Sequence, residues 1–211
     1  MVFEGKFKGP CVLIQQAMQE VEAVLLAQEK QRENQTSPTK MIRTVWKPPS
    51  PGYLKVNVNA AVDSKRGKVG IGVVVRDFRG EVHVVVAVPR QVTKSASAAE
   101  SLAMLHATLL CSELGIKQVP LEGDAKVVVE AINSSSYNSS WDGQVIEDIK
   151  AVVHAQLGWS VTFVGRDGNR AAHATAKLAL SLSTECVWME EVPTEVLPAV
   201  VLDLPSFVMS V

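Results

Sequence analysis

The spacing of apolar residues gives the first part of the chain a strand pattern. Residues 53–58 alternate apolar and polar positions, and residues 69–76 and 81–88 are rich in valine, which is typical of strands. Short polar turns separate these three segments. We therefore expect the three strands to form an antiparallel meander.

Beyond residue 95, apolar residues recur at the spacing of an α-helix, and short strand-like segments interrupt them. The predicted elements are helices at residues 97–114, 125–132, 141–156 and 169–182 and strands at residues 117–122 and 159–164. The resulting order, β-β-β-α-β-α-α-β-α, predicts an α/β fold. We expect a five-stranded mixed sheet, with its first three strands antiparallel, flanked by helices.

Changes in composition divide the chain into three zones. Residues 1–45 contain an amphipathic helix at about 11–33 and a polar linker. We expect this helix to pack on the domain or to be a remnant of a larger protein, and the alternative is a helix that binds a partner. The proline-rich run at 46–52 cannot continue a helix and marks a boundary. We expect the main domain over 46–183 and a C-terminal tail over 184–211.

Composition and charge narrow the class of protein. The chain is 47% hydrophobic and 20% charged with a net charge of −1, which indicates a globular protein whose nucleic-acid contacts would have to come from local patches. Its three cysteines are far apart and form no CxxC pair, so we expect no zinc site. Without a signal peptide or an apolar span, we expect no membrane association and a nuclear or cytoplasmic location.

Five short motifs occur in a fixed order between residues 46 and 182. They are Trp46-Lys47-Pro48-Pro49, Gly70-Ile71-Gly72-Val73, Ala98-Ala99-Glu100-Ser101, Leu121-Glu122-Gly123-Asp124 and Arg166-Asp167-Gly168-Asn169. Together they resemble the ribonuclease H-like superfamily, and more narrowly the plant reverse-transcriptase-like RNase H type-1 domains derived from non-LTR retroelements. The resemblance implies metal-dependent endonucleolytic hydrolysis of RNA in RNA–DNA hybrids.

The same resemblance implies a catalytic site of four residues. They are Asn59, Glu100, Asp124 and His173. The first three would hold Mg²⁺, with Mn²⁺ as a possible substitute, because hard cations take oxygen ligands. The family has an aspartate where this chain has Asn59, and an amide brings no charge. We therefore expect weakened metal binding and cleavage that is weak or lost.

The implied partner is nucleic acid, either an RNA–DNA hybrid or RNA, and the sequence indicates no obligate protein partner. Four basic residues are candidates for contacts with phosphates: Lys65 and Arg66 between the first two strands, and Arg166 and Arg170 beside the last helix. Alternatively, these side chains are solvated loop charges.

Other interpretations remain open for all four site residues and for the chain as a whole. Asn59 is alternatively a polar strand end with no metal contact. Glu100 is alternatively a solvated helix charge, Asp124 a helix N-cap, and His173 an ordinary surface histidine. The alternative function is a catalytically inactive RNase H-fold module for binding. A nucleotide-binding enzyme is disfavoured, because no GxxxxGKS or GxGxxG loop follows a strand.

Overall fold

The computed structural model describes residues 46–91, 95–137 and 143–203, so the predicted N-terminal helix lies outside the described residues. One short 3₁₀ turn, Arg166–Gly168, precedes the last long helix. The strands and helices in chain order are β1 (Lys55–Asp63), β2 (Lys68–Arg76), β3 (Val82–Gln91), α1 (Ala96–Glu113), β4 (Gln118–Gly123), α2 (Lys126–Asn133), α3 (Gly143–His154), β5 (Gly158–Phe163), α4 (Arg170–Ala179), β6 (Cys186–Met189) and α5 (Leu197–Asp203).

The strands form one mixed sheet in the order β5-β4-β1-β2-β3-β6. The first three strands are antiparallel, whereas β4 pairs parallel with both β1 and β5, so the predicted α/β fold is confirmed. The predicted number of five strands is wrong. The sixth strand, β6, lies in the segment assigned to the C-terminal tail and pairs antiparallel with β3. Its four residues are too few to show a strand pattern without their partner.

Helices cover the two faces of the sheet unequally. The larger core lies between one face and helices α1, α2 and α3, and it contains valines of the first three strands together with Met104 and Ile149. The smaller core lies under α4 and α5 and contains Val74, Val85 and Val200. Because β2 is covered on both faces, its valines are buried whichever way they point. None of the described helices has the combination of length and apolar content required to cross a membrane.

Helix α4 lies unusually close to β2 because the facing strand residues are glycines. A Cβ atom at Gly70 would lie 2.1 Å from the carbonyl oxygen of Ala176, and one at Gly72 would lie 2.4 Å from that of Ala172. The helix contributes small residues to the same contact, and Ala172 and Ala176 are fully buried. The glycines therefore set the distance of α4, which carries His173, from the sheet.

A buried polar cluster fills the space between the sheet and α5. Arg76 at the end of β2 donates a hydrogen bond to Asp203 at 2.8 Å and another to the side chain of Asn57 at 3.0 Å. The indole of Trp46 donates to Asn57 at 2.8 Å, and the Arg76 guanidinium stacks 3.9 Å from the centre of the Trp46 ring. This cluster links the first described residue to the last one through the strand that carries Asn59.

Candidate functional site

The four polar residues predicted to form the site line one pocket of about 480 Å³. Asn59 comes from β1, Glu100 from α1, and His173 from α4, while Asp124 directly follows β4. Because β1 and β4 are parallel neighbours, Asn59 and Asp124 emerge side by side. The structure thus brings the four residues together as predicted, and the chemical roles assigned to them stay predictions.

The position of Asn59 within its strand differs from the prediction. The sequence pattern ended the first strand at Val58, whereas β1 continues to Asp63 and pairs with β2 along its whole length. The small and polar residues after Val58 interrupt the alternation of apolar positions, although the backbone continues in the ladder. Asn59 therefore lies inside a paired strand, and it is only 2% exposed.

The amide of Asn59 links β1 to two other elements. Its Nδ2 donates a hydrogen bond of 2.7 Å to Oδ1 of Asp124, and its Oδ1 lies 3.3 Å from Nδ1 of His173. Since an ionised carboxylate only accepts hydrogen bonds, the nitrogen of the amide faces Asp124. At this point β1 presents an N–H donor to Asp124 rather than a second carboxylate.

Asp124 does not cap the helix that follows it. Ala125 occupies the N-cap position of α2, and no side chain makes a capping hydrogen bond there. The N-cap interpretation of Asp124 is therefore wrong. Its carboxylate is directed to the pocket, where Asn59 donates to it.

Glu100 is largely buried beside Asp124. Its Oε2 accepts a hydrogen bond of 3.2 Å from the backbone N–H of Ala60. Burial, reinforced by the negative charge of Asp124, raises the pKa of Glu100 to about 8, and the hydrogen bond from Ala60 only partly opposes this. The carboxyl group is thus mostly protonated at neutral pH, and the interpretation of Glu100 as a solvated helix charge is wrong.

His173 lies at the mouth of the pocket on the first turns of α4. Partial burial lowers the pKa of His173, and the positive charges of Lys177 and Arg166 lower it further against the opposing effect of Asp124. The imidazole is therefore mostly neutral at pH 7. Arg166 and Lys177 line the same pocket as this imidazole.

Basic side chains from one helix and the turn before it complete the pocket. Arg166 and Arg170, both predicted as phosphate contacts, line it, and Arg170 also donates a 2.7 Å hydrogen bond to Asp167. Lys177 lines it as well, although the sequence analysis did not select this residue. Its position four residues after His173 on one helix was the available signal.

The other two predicted phosphate contacts, Lys65 and Arg66, do not line this pocket. They lie in the turn between β1 and β2, where Oδ1 of Asp63 accepts hydrogen bonds from their backbone N–H groups at 3.0 and 3.1 Å. The side chain of Arg66 also pairs with Asp63 at 3.7 Å and is 71% exposed. The proposed basic surface is therefore split between the turn and the pocket.

The sequence of residues 57–179, more than half of the chain, matches the reverse transcriptase-like family. The chain belongs to this family. Among curated proteins, none is significantly similar in sequence to the chain.

Solved structures of RNase H proteins share the fold of this reverse transcriptase-like domain. RNase H1 from the halophilic archaeon Halobacterium salinarum superposes with a TM-score of 0.56 at 20% identity, over 61% of this chain and 97% of that one. The N-terminal RNase H domain of a Mycobacterium tuberculosis protein gives 0.54 at 18% identity, over 61% and 93%. LC11-RNase H1, solved in complex with an RNA/DNA hybrid, gives 0.53 at 16%, over 60% and 96%. The fold is therefore the RNase H fold.

The pocket of this reverse transcriptase-like domain does not fit a pair of divalent cations. Two adjacent Mg²⁺ ions require several converging carboxylates, whereas the pocket offers Asp124, a mostly protonated Glu100, the amide of Asn59, and an Asp167 carboxylate that already accepts from Arg170. The Nδ2 donor of Asn59 faces Asp124 at 2.7 Å, where a cation would need an oxygen ligand. Among the described residues, no three His, Cys, Asp or Glu side chains form a group that could hold a metal ion.

Proposed function

We propose that the main domain, expected over residues 46–183 and extended by β6 and α5, is a nucleic-acid-binding RNase H type-1 domain in which metal-dependent hydrolysis of RNA in RNA–DNA hybrids is weak or lost. The observation that carries this proposal is the 2.7 Å hydrogen bond from the amide of Asn59 to Asp124. The Asn59 amide places a neutral donor at the position where the RNase H family has a carboxylate that holds its cations.

The binding half of the proposal rests on the fold and on the charge of the pocket. A structure with this fold, LC11-RNase H1, was solved with an RNA/DNA hybrid. In this chain Arg166, Arg170 and Lys177 line the pocket and supply charge for contacts with phosphates. Recognition through phosphates and 2′-hydroxyl groups would read the shape of the duplex rather than its sequence.

The catalytic half rests on charge. In hydrolysis at phosphorus, divalent cations activate the attacking water and stabilise the charge that develops on the attacking and leaving oxygens. Of the four acid positions that the resemblance implies, this pocket keeps an acid only at Glu100 and Asp124, and Glu100 is mostly protonated at neutral pH. His173 would take part only as a neutral imidazole, which is a poor ligand for magnesium.

The decisive experiment is a cleavage assay on an RNA–DNA hybrid with Mg²⁺ or Mn²⁺, comparing the native chain with Asn59→Asp. We expect little or no cleavage by the native chain and a gain of roughly tenfold or more in the variant, because one added carboxylate supports cation binding. Gln118→Glu is the matched control, since Gln118 is an exposed amide at the start of β4 outside the pocket. A native turnover on the order of 1 s⁻¹, an ordinary enzymatic rate, would contradict the proposal.

The second candidate is a catalytically inactive interaction module with the RNase H fold. The same hydrogen bond favours it, because the Asn59 amide supplies Asp124 with a donor from within the protein. Calorimetric titration with Mg²⁺ separates the two candidates. Heat of binding supports a residual enzyme, and no heat together with no gain in Asn59→Asp supports the module.

A further inference from the structure

The basic residues of the pocket form a stripe that follows one side of α4 and the turn before it. Arg166, Arg170, His173 and Lys177 follow one another at spacings of four, three and four residues, so the three that belong to α4 project from the same side of the helix. The seven residues from Arg170 to Lys177 span about 10 Å at 1.5 Å per residue. This stripe borders the cavity along its length.

The carboxylates in the same pocket already have donors within the protein. Asp124 accepts from the Asn59 amide at 2.7 Å, and Glu100 accepts from the backbone N–H of Ala60 at 3.2 Å. Asp167 accepts from Arg170 at 2.7 Å. Each of these hydrogen bonds gives a carboxyl oxygen a donor from within the protein. In a site built of carboxylates alone, a cation would take that place.

Two of the three cationic side chains that line the pocket are more accessible than Arg170. Arg166 and Lys177 are both exposed, and they lie on opposite sides of His173 in the sequence. Both side chains line the pocket together with His173. An anion that enters the mouth therefore meets two cationic side chains before it reaches the bonded carboxylates.

We propose that this pocket takes a backbone phosphate of nucleic acid directly, with Arg166 and Lys177 as its charged contacts and without a divalent cation between protein and phosphate. This inference rests on the proposed function, because it presupposes that the chain binds nucleic acid. It deepens that function by replacing a cation site with an anion site in the same pocket.

The test is the affinity of the full chain for a short fluorescent RNA–DNA hybrid, measured by anisotropy in EDTA and in Mg²⁺ at matched ionic strength. We expect equal affinity in the two buffers. The double variant Arg166→Gln/Lys177→Gln should bind roughly tenfold more weakly or worse, and the slope of log K against log salt should fall by about 2, since each phosphate contact contributes about 1. Arg166→Lys/Lys177→Arg should restore most of the affinity.

Two further variants check the sign and the location of the effect. Asp167→Asn removes a negative charge from the pocket lining and should tighten binding. Arg79→Gln is the matched control, because Arg79 is exposed in the turn between β2 and β3 and does not line the pocket, so the change should leave binding unchanged. Thermal melting of each variant verifies that the fold is intact.

The failures of the two proposals are distinguishable. If the native chain binds the hybrid only with Mg²⁺, or if the double variant binds as tightly as the native chain, the direct phosphate contact is refuted and nucleic-acid binding stands. If the native chain shows no binding at low salt in either buffer, the proposed function fails and this inference fails with it.

Discussion

Two side chains, Asn59 and Glu100, reduce the negative charge of the pocket, each for a different reason. Asn59 has a neutral amide in place of a carboxylate. This amide donates a hydrogen bond to Asp124, whereas a carboxylate at the same position would repel Asp124. Glu100 keeps its carboxyl group, but burial beside Asp124 favours the protonated form. The pocket therefore holds its acidic groups together without a cation.

The pKa of Glu100 makes a prediction about stability against pH. In EDTA, the free energy of unfolding should fall as pH rises from about 4.5, the ordinary value for Glu100, to about 8, its value in the folded chain. The sign follows because the folded state binds the proton more tightly than the unfolded state across this window. Urea denaturation at a series of pH values measures the effect.

Two glutamate variants serve as test and control for this pH dependence. Glu100→Gln should remove most of the decline, because the amide does not ionise. Glu130→Gln, in which the side chain replaced is 64% exposed, should leave the decline unchanged. Parallel pH profiles for the native chain and Glu100→Gln would show that the group does not titrate as stated.

At the scale of elements, the site depends on how closely α4 approaches the sheet. The helix carries His173 and the cationic stripe, and its distance from β2 is set by Gly70 and Gly72 against small helix residues. The backbone of α4 contacts the backbone of β2 at these glycines, so a change of side-chain rotamer cannot relieve a clash there. The geometry of one wall of the pocket therefore depends on the absence of a side chain at Gly70 and Gly72.

Gly72→Ala tests this contact. Its Cβ would lie 2.3 Å from the backbone nitrogen of Ala176 and 2.4 Å from the carbonyl oxygen of Ala172, so the helix must move. We expect a loss of about 3 kcal/mol in the free energy of unfolding, at the upper end of ordinary overpacking. In the control, Gly123→Ala, the Cβ would meet the flexible Cε of Met104 at 3.1 Å, and the loss should stay below about 1 kcal/mol. Equal losses in the two variants would contradict the argument.

At the scale of the whole molecule, the C-terminal segment is part of the domain structure. Strand β6 extends the sheet beyond β3, and α5 contributes Val200 to the smaller core. Asp203 pairs with Arg76 across 127 residues of sequence, and both side chains are 1% exposed. Burial raises the pKa of Asp203 and lowers that of Arg76, so desolvation opposes the attraction between the two charges.

Breaking this buried pair should therefore destabilise the fold strongly, even though forming it contributes little net free energy. We expect Asp203→Ala to lower the free energy of unfolding by about 3–5 kcal/mol, because it leaves the charge of Arg76 buried without its partner. Lys126→Ala, which breaks an exposed pair with Glu130 on α2, is the control and should cost about 0.5 kcal/mol or less. A loss below about 1 kcal/mol in Asp203→Ala, measured by urea denaturation, would refute this role.

The sequence by itself determined what local spacing can encode. The period of the apolar residues predicted the order of the nine central elements, and the short motifs placed Asn59, Glu100, Asp124 and His173 at positions that converge in the RNase H fold. Element ends were less certain, as the continuation of β1 beyond Val58 shows.

Only the tertiary structure decided which groups meet and in what state. The pairing of β6 with β3, the burial of Arg76 against Asp203, and the presence of Lys177 in the pocket depend on contacts between distant segments. The donor role of Asn59 and the raised pKa of Glu100 depend on a neighbour's charge and on exclusion from water. These quantities belong to the packed molecule, since hydrogen-bond direction and desolvation arise only when side chains are brought together.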